Sequence, residues 1–225
     1  MDTLLQLWHS FADIAQKGTR SLDMAQLLAL AGVLGWASGI RLYAVVFMTG
    51  LAGWLGWLPL PAGLSMLQHP AVLAGSGFML FVEFFADKIP GLDSLWDLVH
   101  SVIRVPAGAA LAAGVFGADS ATMGMAAGLL GGTLAATSYA TKATTRAALN
   151  TSPEPFSNIA VSLLEDGLVV GMMWLATNYP VAFGITLLLV ILLSIWLLVF
   201  LLKVLKSLLR RIRGWLGGAG LSPSH

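Results

Sequence analysis

Cysteine is absent from the 225-residue chain, and charged side chains make up only 10% of it. Without cysteine the protein can form neither disulfides nor thiolate metal sites, and the redox state of its compartment stays undetermined. The net charge of +1 gives no sign of a nucleic-acid partner. A soluble domain of this length is about a quarter charged, so the shortage of charge excludes an ordinary soluble composition.

Apolar residues are correspondingly abundant, at 57% of the chain with a mean hydropathy of +0.84. A helix that has no polar face is stable in lipid, where its side chains meet hydrocarbon. The composition therefore predicts an all-α polytopic membrane protein whose main partner is the lipid bilayer. Nothing in the sequence requires a cofactor, and whether the chain forms a homo-oligomer stays open.

Six segments are long and apolar enough to cross a membrane: 24–57, 70–88, 91–117, 119–149, 156–178 and 180–202. The last segment contains no charged residue, and a basic tail, 203–225, follows it. Basic residues favour the cytoplasmic side, and the loops predicted to lie outside contain neither Lys nor Arg. We therefore expect both termini to lie in the cytoplasm.

The chain divides into an N-terminal segment, 1–23, a transmembrane domain, 24–202, and the basic tail, 203–225. The first segment, "MDTLLQLWHSFADIAQKGTR", carries acidic residues and no basic start, so it does not resemble a cleaved signal peptide. Its apolar spacing predicts an amphipathic helix. That helix either lies on the membrane surface or packs on the transmembrane bundle.

The first predicted span is too long for one straight crossing. At about 1.5 Å per residue, 24–57 would extend for about 51 Å, against a hydrocarbon core of about 30 Å. The motif "GWASGIR", residues 35–41, places two Gly and a Ser beside an Arg in mid-span, which favours a discontinuous helix. A long, tilted helix is the alternative, and the same choice applies to the long fourth span, 119–149.

An internal repeat is suggested by "AGVLGWASGIRLYA" (31–44), which aligns with "AGLLGGTLAATSYA" (127–140) at an offset of 96 residues. With three spans in each half, 24–117 and 119–202, the second half would be inverted relative to the first. Such a 3+3 inverted repeat predicts a site near mid-membrane, at the interface of the halves.

Charge is concentrated in "FFADKIPGLDSLWDLVHSVIRVP", residues 84–106. At about 100° per residue, Asp93, Asp97, His100 and Arg104 form one narrow stripe on a helix. The stripe must face water, a cavity or partners. Its carboxylate and imidazole groups could ligate a metal, but an arginine on the same stripe argues against a dense cation site.

Further charges follow the same helical spacing. Glu83 and Asp87 share one face of the preceding span, and Lys142 and Arg146 share one face of the fourth. The candidate residues for ion or substrate binding are Glu83, Asp87, Asp93, Asp97, His100, Arg104, Arg41, Lys142, Arg146, Glu165 and Asp166.

Arg41 has several potential partners, namely Glu165, Asp166 or backbone carbonyls at the helix break. Between residues 24 and 202 the chain has eight acidic and five basic side chains, which favours a proton or cation over an anion. We expect a small transporter or channel-like permease for a proton, a cation or a small polar solute. The alternatives are a non-catalytic membrane scaffold with structural ion pairs and a membrane enzyme acting on lipid head groups, although no motif requires an enzyme.

Three stretches carry a family resemblance: "SGIRLYAVVFMTGLAG", "EFFADKIPGLDSLWDLVHSVIRVPAGA" and "ATKATTRAALNTSPEPFSN". In these stretches the chain resembles the bacterial membrane proteins grouped as domain of unknown function 4126, over roughly residues 25–200. The resemblance implies a multi-pass inner-membrane protein and brings no activity, substrate or catalytic residue. The site therefore depends on the charged residues themselves.

Overall fold

The chain folds into helices joined by short turns. A computed structural model describes residues 22–89, 91–117, 120–150 and 155–218, and these ranges contain no strand. In chain order the helices are α1 (Met24–Trp54), a 3-10 helix (Ala62–Gln68), α2 (Pro70–Ala86), α3 (Leu92–Phe116), α4 (Ala121–Leu149), α5 (Pro155–Asn178) and α6 (Pro180–Gly218). Each of the six predicted segments corresponds to one α-helix. The predicted N-terminal amphipathic helix lies outside the described residues, apart from its last two positions.

Local sequence signals set several helix ends. At the start of α1, the Asp23 side chain accepts a hydrogen bond from the backbone N–H of Gln26 at 2.7 Å, and the Gln26 side chain accepts one from the Asp23 N–H at 3.0 Å. This capping box satisfies two backbone donors at the helix start. Pro70 occupies the first turn of α2, where its missing N–H is tolerated. Gly91, with φ of +84°, forms the turn into α3.

Among the described residues, four helical segments are long and apolar enough to cross a bilayer: Met24–Trp54, Leu92–Phe116, Phe156–Asn178 and Pro180–Val204. The 3-10 helix and α2, bent by 68°, add a fifth if the pair counts as one span. The sequence predicted six spans, and α4 is not among the segments that qualify. The protein is therefore an all-α polytopic membrane protein. α6 continues as a helix past the predicted span end at residue 202 and into the basic tail.

α1 is discontinuous, as "GWASGIR" predicted. Arg41 has φ of −141° and ψ of 73°, which are not helical angles. We refer to residues 24–40 as α1a and to residues 42–54 as α1b. From residue 29 to residue 42 every side chain except Gly32 is buried, so the break lies in the centre of the molecule.

α1a and α4 run in the same direction. Gly35 packs against Gly131, and one turn later Gly39 packs against Ala135. A Cβ on Gly35 would lie 2.5 Å from the Cα of Gly131, so the two backbones can approach this closely only because residue 35 is glycine. The aligned segments of the predicted repeat are thus parallel neighbours, whereas an inverted repeat sets equivalent helices in opposite directions. The repeat stays a prediction, and this pair of helices gives it no support.

The other neighbours fix the directions of α2, α3 and α4. α3 and α4 are antiparallel, because Gly128 packs beside Ala113 and Gly132 beside Ala109. α2 and α3 are also antiparallel, because only five residues separate the end of α2 at Ala86 from the start of α3 at Leu92. At the other pair of ends, the 3-10 helix before α2 packs against the end of α3.

α1b packs antiparallel to α2. Phe47 lies against Gly77, and Gly50 lies against Leu73. α1b therefore runs parallel to α3 and opposite to α4, whereas α1a runs with α4. It follows that α1 reverses at Arg41, and both of its ends lie at the end of the bundle where α3 meets α4.

The reversal also determines how the start of α1 and the end of α6 are placed in the bundle. α6 begins at the same end of the bundle as α1, since Phe183 and Leu187 contact Gly32, and its 39 residues extend for about 58 Å to the opposite end. Residue 24 and the end of α6 thus lie at opposite ends of the bundle. The prediction that both chain termini are cytoplasmic concerns residues outside the described ranges and stays a prediction. Hydropathy detected the length of the first apolar segment, but a reversal at one residue leaves hydropathy unchanged.

Candidate functional site

The charged stripe of α3 faces the interior of the protein. Asp93 and Arg104 have no exposed surface, and Asp97 is 2% exposed. The apolar side of the helix faces outward, with Leu98 at 66% and Val102 at 77% exposed. The helix therefore presents its apolar side chains to lipid and its ionised ones to the other helices.

These charges join those of α1, α2, α4 and α5 in one buried network, which we call the ionic cluster. Its members are Arg41, Glu83, Asp87, Lys88, Asp93, Asp97, Arg104, Lys142, Arg146, Glu165 and Asp166. Ten of the eleven predicted site residues are thus brought together.

His100 is the eleventh candidate, and its described contacts are aromatic. Its ring stacks on Trp96 with centroids 4.1 Å apart, and the edge of Tyr43 lies 5.7 Å away. The Nδ1 atom lies 2.9 Å from the carbonyl oxygen of Trp96. A direct proton relay from His100 to the carboxylates therefore has no contact to support it in this conformation.

One side of the cluster is organised by Arg104. Its guanidinium donates to Glu83 at 2.7 Å and also lies 2.7 Å from Asp97. All three side chains are shielded from solvent. α3 thus supplies one cation that two carboxylates share.

Lys142 of α4 connects this group to the centre of the cluster. Its ammonium lies 2.6 Å from Asp87, 3.2 Å from Asp97 and 3.7 Å from Glu165. It also donates to the carbonyl oxygen of Ile40 at 3.1 Å. That carbonyl directly precedes the non-helical residue of α1, so Lys142 provides a partner for backbone that the break has freed.

Arg41 lies at the break itself and contacts three carboxylates, one at the end of α2 and two on α5. It lies 2.5 Å from Asp87, 2.9 Å from Asp166 and 3.7 Å from Glu165. Ser162 accepts a further hydrogen bond from it at 2.8 Å. The sequence suggested Glu165, Asp166 or backbone carbonyls at the break as its partners, and both carboxylates do contact it. The shortest contact is with Asp87 at the end of α2, which the sequence did not suggest.

Arg146 and two asparagines complete the cluster near the end of α4. Arg146 donates to Glu165 at 2.9 Å and lies 3.7 Å from Asp93. Asn150 donates to Asp93 at 3.1 Å, and Asn158 donates to Asn150 at 3.1 Å. This end of the cluster lies beside the connection between α4 and α5.

The charges of the cluster do not balance. It contains six carboxylates and five cationic side chains, so one negative charge is in excess. Five buried carboxylate oxygens accept no hydrogen bond from the described residues: Glu83 Oε2, Asp87 Oδ1, both oxygens of Asp97 and Asp166 Oδ2. Two of them still lie near a cation, since Asp97 Oδ1 is 2.7 Å from Arg104 and Asp166 Oδ2 is 3.8 Å from Lys88. Buried anions without full compensation are costly, so the arrangement favours uptake of one positive charge.

Solvent reaches the cluster most readily at Lys88 and Asp166. Their side chains are 17% and 25% exposed, whereas the other paired side chains are at most 10% exposed. Asp93, Asp97 and His100 are at most 7% exposed, so no open aqueous space surrounds them in this conformation. In the present conformation the stripe faces partners, which was one of the three options open to it.

A cavity of about 480 Å³ lies between α1b, α2 and α3, and its walls are apolar. It is lined by Leu42, Tyr43, Val46, Val72, Gly75, Ser76, Met79, Ala107, Ala110 and Leu111. This cavity is separate from the charged side chains. Within the described ranges no group of three or more His, Asp or Glu side chains is arranged to hold a metal ion, so the metal option on the α3 stripe has no geometric support.

Four participating residues were missing from the predicted set: Lys88, Ser162, Asn150 and Asn158. Lys88 lies in the charged stretch that drew attention to α3, so local charge density would have included it. Asn158, Ser162 and Glu165 are spaced i, i+4, i+7, which places them on one face of α5. That spacing is the signal that would have found the two polar residues of α5.

The chain was also compared with known proteins. The family model described as "Domain of unknown function (DUF4126)" matches residues 28–199. The chain belongs to that family. The match covers the helices from α1 into α6 and therefore the whole ionic cluster. No curated protein and no solved structure matches the chain.

Proposed function

We propose that this member of the family is a small membrane transporter or channel-like permease that moves a proton or a small cation. The observation that carries the proposal is the excess negative charge of a buried cluster located at a broken helix. A single bound proton or monovalent cation would neutralise the cluster. Electrostatic attraction is strong where the effective dielectric constant is low, so such a site would select positive charge.

The pairing pattern supports movement of that charge. Arg41, Lys142 and Arg146 each lie within 4.0 Å of three carboxylates. A small side-chain shift can therefore exchange partners without leaving a charge alone, which would be costly in the interior. The break at Arg41 separates α1a from α1b, and broken helices of this kind line sites in transporters.

We take Glu83 as the first residue to test. Among the described residues Arg104 is its one cationic partner, which it shares with Asp97, and its second oxygen accepts no hydrogen bond from them. Glu83→Gln preserves the shape of the side chain and removes the excess charge. The substitution should abolish uptake of the proton or cation and leave the protein folded.

The experiment uses purified protein in liposomes, with a pH-sensitive dye or a Na⁺- or K⁺-sensitive dye inside and an imposed ion gradient. The wild type should dissipate one of these gradients, and Glu83→Gln should match empty liposomes. Asp23→Asn, at an exposed helix cap that asparagine also serves, is the matched control and should behave as the wild type. A wild type without flux for H⁺, Na⁺ and K⁺ contradicts the proposal.

A scaffold role is the second candidate, and one observation favours it. Every carboxylate of the cluster lies within 4.0 Å of a cationic side chain, as structural ion pairs require. Under this alternative the wild type carries no flux, and Glu83→Gln lowers the thermal midpoint because it weakens the pair with Arg104. The same liposome and unfolding data therefore separate the two functions.

We further propose that the basic end of α6 faces the cytoplasm of a bacterial inner membrane. Lys203, Lys206 and Arg210 follow the last apolar span, where basic side chains retain a segment on the cytoplasmic side. The turn at residues 87–91 and Lys88 then lie on the same side, because α2 ends at that end of the bundle.

A further inference from the structure

We propose that the ammonium group of Lys88 occupies an exchangeable site for a monovalent cation at the exposed end of the ionic cluster. In this inference, which rests on the transport function proposed above, Lys88 acts as a tethered gate. Displacement of its side chain would admit an inorganic monovalent cation or a small primary ammonium ion.

Three oxygens and one aromatic ring surround the Lys88 ammonium. The carbonyl oxygen of Phe84 lies at 3.0 Å, the hydroxyl of Ser162 at 3.4 Å and the carboxylate of Asp166 at 3.8 Å. The ammonium also lies 3.0 Å from the centroid of the Phe84 ring. Carbonyl, hydroxyl and carboxylate oxygens, together with an aromatic face, are groups that bind small cations.

The site lies where the cluster meets solvent. Lys88 and Asp166 are the most exposed members of the cluster, and Asp166 in turn contacts Arg41 at 2.9 Å. A cation bound to Asp166 would therefore be separated by one contact from Arg41 at the break in α1, and by a second contact from Asp87. Removing Lys88 would also raise the excess negative charge of the cluster from one to two.

The pairing of Lys88 with Asp166 is loose compared with the interior pairs. Its 3.8 Å separation exceeds the 2.5 to 2.9 Å of the closest buried pairs, and the Asp166 Oδ2 atom accepts no hydrogen bond from the described residues. A lysine ammonium is a point charge on a flexible four-carbon stem, so it can leave and return without breaking a bidentate geometry.

The test uses the absence of cysteine. Ser162→Cys places a single thiol beneath the Lys88 ammonium. The rate at which a membrane-impermeant methanethiosulfonate labels that thiol measures its accessibility. Adding Lys88→Ala should accelerate labelling by roughly tenfold, because local opening then exposes the thiol. Propylammonium, which replaces the deleted atoms, should slow labelling again, whereas 1-propanol should not. Lys88→Arg should stay close to the parent.

Lys203→Ala is the matched control, since that lysine is exposed on α6 and lies outside the cluster; it should leave the labelling rate unchanged. Equal labelling rates with and without Lys88 would overturn the proposal. If Ser162→Cys does not fold, the thermal midpoint of Lys88→Ala in the natural background replaces it. That midpoint should rise with propylammonium and not with 1-propanol, and a failure to rise would also overturn the proposal.

The labelling experiment does not measure ion flux, so failure of the gate and failure of the transport function can be told apart. If Lys88 controls the labelling rate but the protein carries no ion flux in liposomes, the cation site is retained and the transport function is rejected. Flux with no effect of Lys88 on labelling would retain the transport function and reject the gate.

Discussion

At the scale of single residues, Arg104 shows why deleting a deeply buried charge destabilises a protein. Arg104 has no exposed surface and holds both Glu83 and Asp97. Desolvating an ion costs several kcal/mol, and only close partners offset that cost. The guanidinium is therefore needed wherever its carboxylates are present, even if the ion pairs add little net stability.

This reasoning gives a prediction for Arg104→Met, which keeps the length of the side chain and removes its charge. Two carboxylates would be left buried with less compensation, so we expect a loss of about 3–5 kcal/mol in the free energy of unfolding. Arg210→Met, at an exposed position, should change it by less than about 0.5 kcal/mol. Denaturant unfolding in detergent micelles, followed by circular dichroism, measures both.

A triple variant, Glu83→Gln, Asp97→Asn and Arg104→Met, should recover much of that loss because no unpaired charge remains. A triple variant that is no more stable than Arg104→Met would show that packing, and not charge, sets the effect.

Helical spacing identified most of the site at this scale. Asp93, Asp97 and Arg104 share a stripe in any α-helix, and a stripe of charge in an apolar chain has to face the interior. Pairing across helices could not be derived in the same way. The contact of Arg41 with Asp87 depends on how far α1a extends into the bundle before α1 reverses, and no local sequence pattern encodes that distance.

At the scale of helices, the contact between α1a and α4 depends on missing side chains. Gly39 faces the carbonyl of Ala135 and the hydroxyl of Ser138, and a Cβ there would collide with both. The backbone of α4 cannot retreat easily, because Ser138 donates a hydrogen bond to the carbonyl of Trp36 at 2.6 Å. The approach of these two helices brings Lys142 to the break in α1.

Gly39→Val should therefore destabilise the protein by about 3 kcal/mol, at the upper end of the cost of overpacking. It should also disturb the contact of Lys142 with the carbonyl of Ile40. Gly171→Val is the matched control, because nothing lies within 4 Å of a Cβ at that position. Thermal unfolding in one detergent compares the two, and equal midpoints would contradict the packing described for α1a and α4.

At the scale of the whole molecule, composition predicted the solvent, the class of fold and the six helices, because each depends on apolar content along the chain. The direction of each helix depends on contacts between distant segments. "GWASGIR" located the break in α1 correctly, since Gly, Ser and a buried Arg weaken a helix locally. Whether the chain continues or turns back there is decided by packing against α2 and α4, which lie well over twenty residues away.

The reversal leads to a prediction about membrane sides. Because α1 returns to the end of the bundle from which it started, a thiol at Met24 and a thiol at Trp57 should be reached from the same side. Ile89, in the turn after α2, should be reached from the other side, together with the basic end of α6. All three side chains are more than half exposed, so single Cys substitutions should be tolerated and labelled.

Labelling of intact cells and of inverted vesicles with an impermeant thiol reagent decides the matter. With α1 doubled back, Met24→Cys and Trp57→Cys label in intact cells, and Ile89→Cys labels in inverted vesicles. A continuous first span would instead move Met24→Cys to the side of Ile89→Cys. That result would show that α1 does not reverse at Arg41. The position of the ionic cluster beside α1 would then need another explanation.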